Sequence, residues 1–231
     1  MNGRLKVLGV IVAVMGLAFI AGGGYAYYKT NQGSQALQAF SAAQNVKLTY
    51  NADGQLGDGK GDTTEATAIM GLLANDWGFN VDKSELNPND PLVNTTSEYM
   101  YQMATITYHT LHAATTVVLD KDVTAADGKV YTAGSYQFQN DGRYWTGFDR
   151  TNPIEGAARG QIWTATALAL VGELGVGSAT ASALQLGLGM AAILGGIGFM
   201  FLITGLGLVW VARAATETVK VPALRPATAI V

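Results

Sequence analysis

Residues 186–211 read LGLGMAAILGGIGFMFLITGLGLVWV, and residues 7–28 read VLGVIVAVMGLAFIAGGGYAYY. Neither stretch contains Asp, Glu, Lys, Arg or His. A helix of about 20 largely apolar residues crosses the roughly 30 Å hydrocarbon core of a bilayer. The sequence therefore predicts two transmembrane helices, and their lack of ionisable side chains gives no support for a proton relay or an ion pathway.

Charges outside these two stretches are unevenly distributed. Residues 29–173 contain nine basic and sixteen acidic side chains, a net charge of about −7. The outer flanks of the apolar stretches are basic, with Arg4, Lys6, Arg213, Lys220 and Arg225. Because basic flanks are retained on the cytoplasmic side during insertion, we expect a multi-pass protein of the cell membrane with both termini in the cytoplasm.

The predicted organisation has four parts. Residues 1–28 form the N-terminus and first transmembrane helix, 29–185 an extracytoplasmic domain, 186–213 the second transmembrane helix, and 214–231 a cytoplasmic tail. A cleaved signal peptide is the alternative for the first part, because the basic start, the apolar run and the small residues around Tyr25 resemble one. The apolar run is longer than a signal peptide requires, which favours retention.

The fold class predicted is a mainly α membrane protein with a mixed, mostly helical extracytoplasmic domain that contains a small β-hairpin. Asn31 to Ser34 reads as a hinge, and glycines at 172–177 are expected to break the last helix. The predicted helices cover 34–45, 62–75, about twenty residues from Thr95, 153–173, and from Ser178 through the membrane. Residues 46–50 read as a strand, 51–62 as a loop, and 115–119 as a helix end or a strand. The segments around Val130 and Tyr136 read as a small β-hairpin or meander.

Both apolar stretches carry small residues at helical spacing. These candidate interface residues are Gly9, Ala13, Gly16 and Gly23 in the first, and Ala191, Gly195, Gly198, Gly205 and Ala212 in the second. Such stripes let helix backbones approach closely in lipid, either between the two stretches or against another protein. Chance spacing is the alternative, since glycine is common in membrane helices. Gly189, Gly196 and Gly207 lie on other faces, which favours additional helix partners.

The candidates for metal chemistry are few. His109 and His112 lie three residues apart on a predicted helix and could share a metal ion, but the spacing suggests no third ligand. Asp53, Asp58 and Asp62 lie in a glycine-rich loop, although their spacing does not fit an EF-hand. Solvated or structural side chains are the simpler interpretation in both cases, so we expect no metal site and no cofactor.

Other functional classes receive no support from composition or motifs. The chain has no cysteine, which excludes disulfides, cysteine-ligated metals and thiol chemistry. It has no phosphate loop, dinucleotide fingerprint or nucleophile elbow, and its acidic middle gives no basis for nucleic-acid binding. An aromatic run could form either a recognition surface or the packing of the hairpin on the helix from Pro153: Tyr136, Phe138, Tyr144, Trp145 and Phe148.

One resemblance covers about a third of the chain. The helix start Asn-Pro-x-Glu-x-x-Ala-Arg at Asn152, which runs into a Gly/Ala/Leu-rich second apolar stretch ending at Arg213, is similar to two-span actinobacterial envelope proteins. Some members of that group are accessory subunits of the cytochrome bcc–aa3 respiratory supercomplex. The resemblance implies a scaffold in electron transport whose spans pack against oxidase or bcc subunits in the bilayer.

We therefore expect a non-catalytic accessory subunit of a membrane protein complex, whose partners are integral membrane proteins and lipid. A stand-alone envelope enzyme or metal-binding protein that uses His109 and His112 is one alternative. A self-assembling two-span protein is another.

Overall fold

The computed structural model describes residues 2–217 and is mostly helical. Its elements are α1 (Asn2–Gln44), α2 (Thr63–Gly71), α3 (Thr96–Leu111), β1 (Ala114–Leu119), β2 (Val123–Thr124), β3 (Val130–Tyr131), β4 (Gly134–Gln139), α4 (Pro153–Ile162) and α5 (Ala165–Glu217). The chain forms two compact units, one of residues up to 34 with those from 183 onward, and one of residues 35–182. The tail predicted from residue 218 lies outside the described residues.

The first unit contains the apolar parts of α1 and α5, and both helices are long and apolar enough to cross a membrane. Only 11% of the most apolar window of each helix is buried, whereas a core helix of a soluble protein is mostly buried. Large apolar side chains that stay exposed include Val7, Ile11, Val14, Leu17, Leu186, Ile193, Phe199, Met200 and Leu206. This exposed surface is what a bilayer would cover.

The predicted hinge at Asn31 to Ser34 is wrong, because α1 is one helix of 43 residues. Polar side chains there do not interrupt the backbone hydrogen bonds, and a single glycine costs a helix only about 1 kcal/mol. Close packing explains the glycine at position 33. A Cβ added at Gly33 would lie 2.7 Å from Cδ2 of Leu184 in the same unit.

The second unit packs α2 and α3 against the irregular segments that connect them. Ile69, Leu73 and Ala104 are fully buried in this core, and Tyr101 is 1% exposed. Two predicted helix starts are confirmed in this unit: Asp62 caps α2 by accepting from Thr64 and Glu65, and Thr95 forms a capping box with Glu98 at the start of α3. The starts predicted at Ser34 and Ser178 are wrong, because both residues lie inside continuous helices. After Gly71 the chain continues as a π-helical turn, Leu72–Asp76.

Residues 46–50 do not form the predicted strand. Lys47 and Tyr50 make only isolated bridges, to Leu92 and Leu56 respectively. Two backbone hydrogen bonds join residues 46–48 to residues 91–93. The N–H of Val93 donates to the carbonyl of Val46, and the N–H of Leu48 donates to the carbonyl of Pro91. The proline at this position has no N–H and therefore cannot continue a regular ladder.

The β structure consists of two nested antiparallel pairs, so a small hairpin is present, but the segments around Val130 and Tyr136 each pair with an earlier strand and not with each other. β1 pairs with β4 from Ala114–Gln139 to Leu119–Gly134, so residues 115–119 are a strand. β2 pairs with β3 between them. The inward face of β1 places Val117, 1% exposed, against Phe148, Ile154 and Ala158 of a second core.

The helix predicted for 153–173 ends early. α4 stops at Ile162, Trp163 adopts φ −86° and ψ 70°, and α5 begins at Ala165. The Trp163 indole donates to the carbonyl of Arg143, which holds the chain at this bend, and the Thr164 hydroxyl accepts from the N–H of Ala167. The break predicted at 172–177 is wrong, because α5 continues through these glycines. A helix tolerates a glycine at a cost of about 1 kcal/mol, and Gly177 packs closely against the ring of Tyr99.

Candidate functional site

The small residues predicted as an interface bring α1 and α5 together within the first unit. A Cβ added at Gly16 would lie 2.7 Å from the carbonyl oxygen of Gly198, and one added at Gly198 would lie 2.8 Å from that of Gly16. A Cβ added at Gly9 would lie 2.7 Å from the carbonyl oxygen of Gly205. Any side chain at these positions would separate the helix backbones, which is the packing that small-residue stripes permit.

Gly23, Ala191, Gly195 and Ala13 lie along the same contact. A Cβ added at Gly23 would lie 2.9 Å from both the carbonyl oxygen of Ala191 and the amide nitrogen of Gly195. One added at Gly205 would meet the amide nitrogen of Ala13. Ala212 is 3% exposed. That these residues also bind another protein stays a prediction.

A second set of glycines makes no such contact. A Cβ added at Gly189, Gly196 or Gly207 would meet nothing within 4 Å among the described residues. The α1–α5 contact therefore accounts for one set of glycines and leaves the other facing outward.

The two histidines do not share a site in the structure. α3 ends at Leu111, and His112 leaves the helical conformation with φ −103° and ψ 7°. Its Nδ1 hydrogen-bonds with the carbonyl of Tyr108 at 2.8 Å, and its ring lies beside a cavity of about 620 Å³. His109 points instead towards Asp58 and Glu65.

Asp58, Glu65 and His109 come from three different elements of the second unit. Asp58 lies in the glycine-rich loop 51–62, Glu65 in the first turn of α2, and His109 in the last turn of α3. One possible ligand atom from each lies within 4.8 Å of the other two, which is a spacing that could hold a metal ion. Sequence reasoning missed this group, because only the tertiary fold brings the three residues together.

The backbone of the loop fixes the Asp58 side chain. Its Oδ1 accepts the N–H groups of Lys60 and Asp62 at 2.9 and 2.8 Å, and the side chain has no exposed surface. Oδ2 is also buried, has no hydrogen-bond partner, and lies 3.5 Å from Nε2 of His109. That nitrogen is hydrogen-bonded with the backbone carbonyl of Asp58 at 3.1 Å.

The surroundings of Asp58 favour its charged form. Burial, the largest influence, raises the pKa of the carboxyl group. The hydrogen bonds from the N–H groups of Asp62 and Lys60 and the charge of His109 lower the pKa by more, so that it lies below its ordinary value. Asp58 is therefore a buried carboxylate at neutral pH.

A hydrogen bond from the buried side chain of Tyr101 also holds the loop 51–62. The Tyr101 hydroxyl donates to the carbonyl of Gly57 at 2.9 Å. Burial raises the pKa of Tyr101 far above its ordinary value, so the hydroxyl keeps the proton that this bond requires. The other loop aspartates take no part in the group: Asp62 caps α2, and Asp53 is exposed.

Four members of the aromatic run pack in the second core, namely Tyr136, Phe138, Trp145 and Phe148. Phe138 stacks on Phe148 with ring centroids 5.9 Å apart, and both belong to the second core. Trp145 is covered by the guanidinium of Arg159, 3.4 Å above its ring. Tyr144 is the exposed member, and its hydroxyl accepts from the indole of Trp77.

Comparison of the chain with protein-family models, with curated proteins and with solved structures finds no match.

Proposed function

We propose that this chain is a non-catalytic accessory subunit of a membrane protein complex. In this proposal α1 and α5 cross the cell membrane, both termini lie in the cytoplasm, and residues 29–185 form the extracytoplasmic domain. The basic flanks at Arg4, Lys6 and Arg213 support this orientation.

The exposed apolar surface of the first unit supports membrane insertion. Within the described part of α1, no charged side chain lies between Lys6 and Lys29, and most of the residues between them are exposed. In water this surface would cost roughly 25 cal/mol for each Å² of apolar area. Insertion into lipid removes that cost.

The outward-facing glycines are the observation that carries the subunit proposal. In lipid, apolar burial does not drive helices together, and association depends on close backbone packing. Gly196 and Gly207 give α5 flat positions that the α1 contact does not use. A further helix that packs there gains dispersion contacts which lipid chains fill less well.

The partner in this proposal is a set of integral membrane proteins. The resemblance of residues 152–213 to two-span actinobacterial envelope proteins suggests the cytochrome bcc–aa3 supercomplex, which would give the chain a structural role in electron transport. Asn152 accepts from the N–H groups of Ile154 and Glu155, so the helix start that carries the resemblance is formed as its sequence implies.

Affinity purification from native membranes in a mild detergent tests the proposal. The tagged chain should bring down other integral membrane subunits in fixed stoichiometry, and mass spectrometry identifies them. Gly196→Leu should reduce this recovery several-fold, whereas Ile203→Leu, a conservative change at an exposed position of the same helix, should not.

Two results would contradict the proposal. Recovery of the chain only as a free monomer would exclude a stable complex. Crosslinking in intact membranes that yields only homo-oligomers would instead favour a self-assembling protein.

A further inference from the structure

We infer that Asp58, Glu65 and His109 bind a divalent transition-metal cation of the Zn²⁺ type, which ties the loop 51–62 to α2 and α3. The inference concerns the second unit alone and does not rest on the proposed role as a subunit.

The distances between the side chains suit a shared cation. Oδ2 of Asp58 lies 3.5 Å from Nε2 of His109, and Oε2 of Glu65 lies 3.9 Å from Nδ1 of the same ring. Ligands bonded to one Zn²⁺ at about 2.0 to 2.2 Å lie somewhat over 3 Å from one another. Only one nitrogen of the imidazole can bind a given ion, because the two ring nitrogens point in different directions. One possible ligand atom from each of the three residues lies within 4.8 Å of the other two, so these atoms would draw closer together on binding.

The second observation is the state of the Asp58 carboxylate. Oδ1 is satisfied by two backbone N–H groups, but Oδ2 is buried without a hydrogen-bond partner and faces the imidazole of His109. A buried carboxylate oxygen without a hydrogen-bond partner has lost its hydration without replacement. Nε2 of His109 now donates its hydrogen to the backbone carbonyl of Asp58, so a cation bound at Nε2 would displace that proton and would also satisfy Oδ2.

The donor set indicates the class of metal. An imidazole nitrogen among the ligands favours Zn²⁺ and its transition-metal neighbours, whereas Mg²⁺ and Ca²⁺ prefer oxygen ligands alone. The carbonyl oxygen of Asp58, 3.1 Å from Nε2, offers a further oxygen donor. Water can complete the coordination.

The site is accessible from solvent on one side. The side chains of His109 and Glu65 are 34% and 44% exposed, whereas that of Asp58 has no exposed surface. An ion can therefore enter between the two exposed ligands and meet the fixed carboxylate at the bottom. Because the ligands come from three elements, binding should raise the stability of the folded second unit.

Isothermal titration with ZnCl2 tests the inference on the full chain in detergent micelles, after removal of any histidine tag and treatment with a chelator. We expect one Zn²⁺ to bind per chain at pH 7. His109→Ala and Glu65→Gln should each lower the affinity at least about tenfold. His112→Ala, three residues away, is the matched control and should keep the native affinity.

Thermal unfolding gives a second measurement on the same variants. Zn²⁺ should raise the unfolding temperature of the native chain and of His112→Ala, but not that of His109→Ala. Glu65→Gln changes a partly exposed side chain, so its metal-free unfolding temperature should stay close to the native value and show that the variant is folded.

Three results would overturn the inference. The first is no binding of Zn²⁺ by the native chain. The second is equal affinity of the native chain and His109→Ala. The third is binding of Ca²⁺ as tight as that of Zn²⁺, since the imidazole would then not be a ligand.

Discussion

Gly177 of α5 lies directly against the ring of Tyr99 in α3. A Cβ added at Gly177 would lie 2.5 Å from Cε1 of that ring and 2.7 Å from Cδ1. The ring cannot move aside, because Tyr99 is 5% exposed and its hydroxyl is hydrogen-bonded to Oγ of Ser41 at 2.7 Å. Glycine at 177 is therefore required by packing.

Alanine at this position should destabilise the second unit. Gly177→Ala forces a methyl group into the Tyr99 ring, and overpacking of this kind costs about 1 to 3 kcal/mol of unfolding free energy. Gly172→Ala is the matched control, because a Cβ there meets nothing within 4 Å among the described residues. That change should stabilise the helix by up to about 1 kcal/mol. Denaturant unfolding of both variants in micelles measures the difference, and equal stability of the two would contradict the packing argument.

Removal of the Tyr101 hydroxyl should loosen the glycine-rich loop. Tyr101→Phe leaves the buried carbonyl of Gly57 without its donor, which costs about 1 to 3 kcal/mol of unfolding free energy. Faster hydrogen exchange of the amides of Lys60 and Asp62 should accompany the loss, because their bonds to Asp58 depend on the same loop.

Tyr144→Phe is the control for this experiment. It also removes a hydroxyl that accepts a hydrogen bond, from Trp77, but Tyr144 is 44% exposed and water can replace the bond. Its effect on stability should be within about 0.5 kcal/mol. Equal effects of the two changes would show that the Tyr101–Gly57 bond does not hold the loop.

The Glu98 carboxyl should make stability depend on pH. Burial, the largest influence, raises the pKa of Glu98 above its ordinary value of 4.5. The hydrogen bonds from Asn94 and Thr95 lower the pKa by less, and the charge of Asp90 raises it further. The folded state thus binds the proton more tightly than the unfolded state. Its contribution to stability is present below pH 4.5 and is lost as the pH rises through the folded-state pKa.

Glu98→Gln removes this titration. The stability of the native chain relative to this variant should therefore fall as the pH rises above 4.5, when both are followed by denaturant unfolding between pH 4 and 7. The contributions of other carboxyl groups to the pH dependence, such as that of Asp82, cancel in this comparison because both chains contain them. A difference that is constant or that grows with pH would contradict the direction of the shift.

The proposed topology can be tested with single cysteines, because the chain has none of its own. Thr124→Cys lies on the exposed strand β2 and should react with a membrane-impermeant maleimide added to intact cells. Gly3→Cys lies at the N-terminal end of α1, which the proposal places in the cytoplasm, and should react only after the cells are opened. Labelling of both in intact cells would contradict the orientation, and absence of residue 3 from the mature protein would indicate a cleaved signal peptide.

The parts of the fold that follow from neighbouring residues could be predicted from the sequence. The capping box at Thr95 and the cap at Asn152 lie within one helical turn of the groups they satisfy, so their spacing is visible in the chain. The turn at Asp127-Gly128 likewise identified the hairpin, although not its nested pairing.

The meaning of the glycines could not be predicted in the same way. Gly33 and Gly177 suggested a hinge and a break, yet both lie within continuous helices and face a side chain from elsewhere in the chain. The group of Asp58 with His109 was hidden for a similar reason, since 51 residues separate them. Local propensity carries no information about such contacts.

The glycine-rich loop would not tolerate an insertion, although its composition suggests that it would. Residues 51–62 resemble a flexible linker in composition, yet Gly57 is buried and a Cβ added there would lie 2.8 Å from Cα of Gly61. An epitope tag inserted in that loop would displace Asp58. The turn between β2 and β3, where Gly128 has φ +85° and open space around it, is the position at which a reporter could be inserted and the chain would still fold.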